Sequence, residues 1–281
     1  MKRQTNANSR LQMLRILVSG LVMVSTILGP TFFEVLPAAA QKVSEASLKN
    51  PDSSPARQPV LVELFTSEGC SDCPPADALL ARLDATQFVP GAQAIVLSEH
   101  VTYWNYLGWS DPFSLDEMNH RQTRYATRFG LDTVYTPQAI VDGATQVLGG
   151  DSAAMSQAVS AAAQKQKPAL RIEGAHWDGS TIGFAVKAPD GLHGFLTVVL
   201  AEDATSSAVG RGENAGRTLH HIAVVRVMKS MDRNKANEQP LALQLGNEQA
   251  LTGHAFRLIA ILTDGEGGRV LAVAEVPITR P

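Results

Sequence analysis

The chain has 281 residues, 44% of them hydrophobic, and a formal net charge of −3 at pH 7. That length admits one large domain or two ordinary ones, and the apolar content is that of a globular protein. A balance so close to neutral, with neither a basic stripe nor an acidic tail, excludes a nucleic-acid footprint and names no charged partner.

Lys2, Arg3, Arg10 and Arg15 precede an apolar run from Ile16 to Gly29, and Ala38, Ala39 and Ala40 follow it. Basic region, short apolar core and small residues in that order predict a secretory signal peptide over residues 1–40. A retained anchor needs ~20 apolar residues, whereas this run is broken by Ser19, Ser25, Thr26 and Pro30. Cleavage after Ala40 leaves no membrane span, and no cysteine at the junction for lipid attachment. The mature chain then begins near Gln41 in an oxidising compartment, periplasmic or secreted and bacterial. Two cysteines there can form a stable disulfide or a working redox pair.

Residues 41–58 are polar, hold Pro51 and Pro55, and read as a flexible lead-in. Val60 to Phe65 is a short run in which only Glu63 is charged, the pattern of a strand buried on both faces. A Ser/Glu/Gly turn follows, then Cys70-Ser-Asp-Cys73, then Pro74 and Pro75 opening a segment with Ala76, Leu79, Leu80 and Leu83 at helical spacing. Ala94 to Leu97 reads as a second buried strand, so this span predicts a parallel βαβ unit.

Residues 101–135 interrupt that pattern with all four tyrosines and two of the three tryptophans. Ser114 to Glu117 reads as a capping box, Gly130 as a C-cap, and Arg121, Arg124 and Arg128 recur along one side of the helix between them. This is an inserted aromatic helical cap. Its aromatics are either its own core or, for Tyr103, Trp104 and Trp109, substrate-facing. Thr136-Pro137 then leads into Ala139 to Val141, the Asp142-Gly143 turn and Thr145 to Leu148, a hairpin signal. Asp151 or Ser152 caps a helix with Met155, Ala158, Val159 and Ala162 on one face, ending before Pro168. The order β, α, β, cap, β, β, α is that of a thioredoxin-like α/β domain over 59–168 with an insertion after its second strand.

From Ala169 to the end, short β-like runs alternate with Asp-Gly turns at 178–179, 190–191 and 264–265, which predicts a small all-β sandwich or barrel over 169–281. The loop Gly210 to Arg217 reads as a solvated hairpin loop, with an anion cradle or reach to the cysteines as the alternatives. His220 and His221 point to opposite strand faces and cannot easily share an ion.

Cys70 and Cys73 are the only cysteines. A thiolate at a helix N-terminus is stabilised by the free amides of the first turn, so Cys70 is the expected nucleophile and Cys73 the thiol that resolves a mixed disulfide. Asp72 places negative charge beside the pair and predicts a mild rather than a strong oxidant. Glu63 is either an outward-facing strand acid or a buried acceptor for the proton of Cys73. Thr136–Pro137 before the hairpin is expected to be cis and to present backbone to an incoming peptide.

The stretches from Val62 to Leu80, His100 to Phe113, Tyr135 to Gln138 and Gly212 to Arg217 together resemble the secreted thioredoxin-like proteins of the domain-of-unknown-function family numbered 1223. The resemblance runs from about residue 59 to the C-terminus. It implies a thioredoxin-like domain and bacterial export, and no substrate. Ordinary thioredoxins have Gly-Pro where this chain has Ser71-Asp72, and their strand acid lies one residue nearer the first cysteine.

Three functions fit these residues. The first is an exported thiol–disulfide oxidoreductase acting without a cofactor on an exported protein or a small thiol, recycled by a redox partner the sequence does not identify. The second is periplasmic copper handling by both thiolates with a histidine, His100 or His120. The third is a structural disulfide in a binding module.

Overall fold

The computed structural model describes residues 57–232, 240–246, 251 and 253–281. The signal peptide and nearly all of the lead-in expected from the sequence lie outside the described residues.

Strand β1 (Gln58–Thr66) is followed by helix α1 (Cys73–Thr86) and strand β2 (Ala92–His100), which pairs with β1 in parallel. From Val60 onward every residue of β1 is buried, because α1 and α3 (Ser152–Ala163) pack side by side on one face of the sheet and the segment 116–129 covers Glu63 and Phe65 on the other. Helix α2 (Asp116–Phe129) is the inserted cap. It starts two residues after Ser114, whose hydroxyl donates to the Asp111 carbonyl instead of capping the helix. Gly130 ends α2 in a left-handed conformation at φ 67°. Strands β3 (Gln138–Val141) and β4 (Thr145–Leu148) form the expected hairpin, with β3 antiparallel to β1. The Asp151 carboxylate caps α3, accepting from the amides of Ala153 and Ala154.

The remaining strands are β5 (Arg171–Asp178), β6 (Thr181–Lys187), β7 (Phe195–Ala208), β8 (Thr218–Asp232), β9 (Leu241–Gln244), β10 (Ala255–Thr263) and β11 (Val270–Thr279). Four of them continue the first sheet, whose order is β11-β10-β7-β8-β2-β1-β3-β4; β5, β6 and β9 make a smaller antiparallel sheet. Period-two alternation divides β7 and β10 between two cores. Val198, Leu200, Leu258 and Leu262 face Ile172, Ile182 and Phe184 of the small sheet, whereas Val199, Ala201, Ile259 and Ile261 join the core beneath β1 and β2. The fold is thus a thioredoxin-like α/β core followed by strands that sandwich a small all-β sheet. β8 adjoins β2 through a single bridge, Val224 opposite Ser98, and its His221 lies against Glu68 and His100, beyond the carboxyl end of β1 and at that of β2.

Candidate functional site

The turn between β1 and α1 places both cysteines at the start of α1, where Pro74 and Pro75 occupy the first turn and need no amide acceptor. Cys70 and Cys73 form a disulfide with a Cα–Cα separation of 5.4 Å. Asp72 is the N-cap residue but makes no side-chain capping bond. Cys70 is 2% exposed and Cys73 0%. The Thr136–Pro137 peptide is cis, and the Thr136 carbonyl oxygen lies 3.9 Å from Cys70 Sγ. Gly149 closes the other side of Pro137: a Cβ at that position would sit 2.9 Å from the proline Cβ and 2.7 Å from Leu64, so only glycine lets the turn after β4 approach.

Two further pieces cover the pair. Trp104 lies against Gly69 and donates from Nε1 to Thr136 Oγ1 at 2.7 Å. The loop between β7 and β8, expected to be a solvated hairpin loop, docks on the cysteine turn instead. Asn214 is 1% exposed, and its Nδ2 donates to the carbonyls of Glu68 at 2.8 Å and Cys70 at 2.9 Å. Arg217 donates to Asn214 Oδ1, and the Glu213 carboxylate accepts from the Ser71 amide at 3.1 Å. The turn's own carbonyls, which no regular element satisfies, explain the docking: an amide side chain offers the two donors they need.

Beneath the turn is a buried cluster of three acids and two histidines. Asp77 follows Cys73 by four positions on α1, accepts from Thr66 Oγ1 at 2.8 Å, and has its Oδ2 3.7 Å from His221 Nδ1. Burial raises the Asp77 pKa to about 6, against the opposing pull of His221 and Thr66. On its other side His221 places Nε2 3.1 Å from Glu68 Oε1. Glu68 also accepts from Ser207 Oγ and, at 2.8 Å, from Trp109 Nε1. The ring of His100 meets that of His221 edge-on at 4.6 Å, and His100 Nδ1 is 2.7 Å from Asp111 Oδ2. Burial alone would raise the Asp111 pKa. The His100 charge and hydrogen bond, with the amides of Glu68 and Phe113, bring it below the ordinary value instead.

Of the residues singled out from the sequence, Cys70, Cys73, Thr136, Pro137 and Trp104 come together here. Trp109 reaches the same centre from the outside through Glu68. Tyr103 donates to Gln122 Oε1 at 3.1 Å, and burial raises its pKa to about 12. Glu63 lies elsewhere in the sheet. Its carboxylate accepts from Arg121 Nε and from Tyr125 OH, each at 2.6 Å, in a fully buried group that includes Glu99. Burial and then the Glu63 charge push the Glu99 pKa well up, while burial raises that of Tyr125.

Sequence reasoning gave Asp77 and Glu68 no role, weighed Asn214 only within a 210–217 loop one of whose alternatives reached the cysteines, and weighed His221 only as unable to share an ion with His220. Asp77 carried a signal, since it shares the helical face of Cys73, Ala76 and Leu80 at positions i, i+3, i+4 and i+7. The other three did not, because the chain pairing that joins them is long-range. For the copper reading, His100 pairs its Nδ1 with Asp111 and keeps Nε2 buried without a hydrogen-bond partner, while His120 is exposed on α2. Among the described residues no cluster of three or more His, Cys, Asp or Glu is arranged to hold a metal ion.

Parallel β1 and β2 joined through α1, a disulfide-forming pair at the N-terminus of α1 and the 136–137 peptide against it define a thioredoxin-like protein with a redox-type cysteine site. Within that class the chain belongs to the family described as "Protein of unknown function (DUF1223)", which it matches over residues 61–263. The crystal structure of protein AGR_C_4864 from Agrobacterium tumefaciens is similar, with 24% identity, a TM-score of 0.57, and coverage of 79% of this chain and 94% of that one. So is HBP35 of Porphyromonas gingivalis, with 12% identity, a TM-score of 0.51, and coverage of 79% and 75%. At these identities the likeness is one of fold. No curated protein matches the chain. No helix among the described residues is long and apolar enough to cross a membrane.

Proposed function

We propose that the chain is an exported thiol–disulfide oxidoreductase in which Cys70 attacks and Cys73 resolves. The observation that carries the reading is Cys70 Sγ at the start of α1, 3.9 Å from the carbonyl of the residue before Pro137. The positive end of the α1 dipole favours a Cys70 thiolate, and the 136–137 backbone offers an edge on which an extended peptide aligns its own disulfide. Cys70 bonds to one substrate sulfur and expels the other; Cys73 then bonds to Cys70 and expels the first. The substrate is an exported protein or a small thiol compound, and the 1–40 segment supplies the export. Glu63 has its carboxylate committed to Arg121 and Tyr125, so we assign it to holding the cap on the sheet.

The test is a trap. With Cys73→Ser in the exporting cell, Cys70 should accumulate mixed disulfides that a reductant releases, and a lysate with no such adducts would overturn the proposal. The low exposure of both sulfurs favours one competing reading, a structural disulfide. A reduction potential below about −300 mV would decide for that reading.

A further inference from the structure

We propose that Asp77 and His221 together take the proton of Cys73 as that thiol attacks, Asp77 meeting the thiol and His221 acting behind it as a positioning residue. The inference rests on the exchange reading above.

Cys73 is 0% exposed, so bulk water cannot accept its proton, and an internal acceptor is required. Asp77 lies one turn further along α1. Residues at i and i+4 share a helical face with Cβ atoms about 5–6 Å apart, and helical side chains lean toward the N-terminus, which turns Asp77 back toward Cys73. The carboxylate is held from β1 by Thr66 and faced from β8 by His221. The contact with His221 sets this acid apart from an ordinary buried one. Glu68 is an acceptor already serving Trp109 and Ser207, so the His221 nitrogen beside it is the N–H, and Nδ1 keeps a lone pair. That Nδ1 is buried without a hydrogen-bond partner and faces Asp77 Oδ2 at 3.7 Å, a gap that a small turn of the Asp77 side chain closes.

The other groups facing His221 are His100 from the end of β2, with Asp111 behind it, and the ring of Phe113, over which Arg226 stacks. A carboxylate with a raised pKa, backed by an unprotonated imidazole nitrogen, receives a proton and spreads the resulting charge. In the mixed disulfide, Cys73 Sγ–H gives its proton to Asp77 and the thiolate bonds to Cys70 Sγ. The Cys70–substrate bond breaks with its electron pair on the substrate sulfur. The proton is shared between Asp77 and His221 Nδ1, leaves to solvent from Asp77, the more exposed of the two at 6%, and the departing thiolate takes one from solvent. The dithiol is oxidised and the substrate disulfide is reduced.

Reduced, signal-cleaved protein mixed with dithionitrobenzoate reads the two steps in one trace. The first chromophore release reports attack by Cys70, the second reports resolution by Cys73. Asp77→Asn should lower the ratio of second to first release on the order of a hundredfold at neutral pH. His221→Gln should lower it on the order of tenfold, and Asp77→Glu should keep part of the rate. In the wild type the second release should bend near the Asp77 pKa of about 6. Unchanged ratios in both variants would overturn the inference. So would a wild-type second release that climbs log-linearly from about pH 5 to pH 8 without a bend, a measurement that stands even if a variant does not fold. Absence of any first release would instead sink the exchange reading.

Discussion

The protein buries two acid clusters around one sheet, and they are closed by different basic side chains. Glu63 and Glu99 are closed by Arg121, fully buried and raised in pKa by its acidic neighbours against the opposing effect of burial. Glu68, Asp77 and Asp111 are closed by His221 and His100. An arginine does not give up its proton in a protein, so the first cluster can hold structure and cannot move charge. An imidazole, unlike a guanidinium, can give up its second proton, and the cluster the imidazoles close lies at the cysteines. On the proposal above, burial of similar acids has two uses in this fold, and the basic partner tells them apart.

The largest effect expected is at the arginine. Arg121→Met leaves Glu63 and Glu99 buried without their cation, and loss of one partner of a buried pair costs about 3–5 kcal/mol. Denaturant unfolding of the oxidised protein would measure it, and the potential of the cysteine pair should not move in the protein that remains folded. A shift in potential would break the division between the clusters.

Asp77→Asn should act in the opposite direction on stability. The Asp77 pKa rises from 3.8 to about 6 on folding. Between those values the folded chain holds more protons than the unfolded one, so stability declines as pH rises through that window and the ionised acid is unfavourable above it. Removing the charge should stabilise the protein at pH 7 by on the order of 1–3 kcal/mol and flatten the pH dependence of the unfolding midpoint between about pH 4 and 7. A large destabilisation would place Asp77 with Glu63 as a structural acid. A stabilising loss of a buried charge is what a site kept for chemistry predicts.

The sequence made the first cluster's strand legible and hid the second cluster. The run Val60 to Phe65 and the spacing of Leu79, Leu80 and Leu83 carry local periods, so β1, α1 and the placing of Cys70 follow from them. Glu63 is the only charge in that run and is conspicuous for that reason. Its partner Arg121 was visible only as one of three arginines on a helix side. His221 alternates with exposed His220, as the strand period requires, but nothing local says that the β8 start lies against the turn after β1. Long-range parallel pairing leaves no periodic mark on either partner. The same gap explains the 210–217 loop, whose docking depends on carbonyls over a hundred positions away.

That loop sharpens the comparison at smaller magnitude. Asn214→Ala strips the donors from the Glu68 and Cys70 carbonyls, and unfolding should show a loss of about 1–3 kcal/mol. Because Asn214 is neutral, the pH dependence of stability should keep its wild-type shape. Glu213 is the converse case, a charge with little structural weight. It is exposed and its carboxylate accepts from the Ser71 amide, so it adds negative charge where a Cys70 thiolate would form. Glu213→Gln keeps an acceptor there and removes the charge. The reduced form, which carries the thiolate, becomes easier to form, so the potential of the pair should become less negative. Interactions of an exposed charge are worth about 0.2–1 kcal/mol, and 1.4 kcal/mol corresponds to about 30 mV for this two-electron couple. The expected rise is therefore on the order of 5–20 mV, shrinking with added salt. A fall in potential, or no dependence on salt, would mean that the loop acts on the cysteines through geometry alone, as Asn214 does.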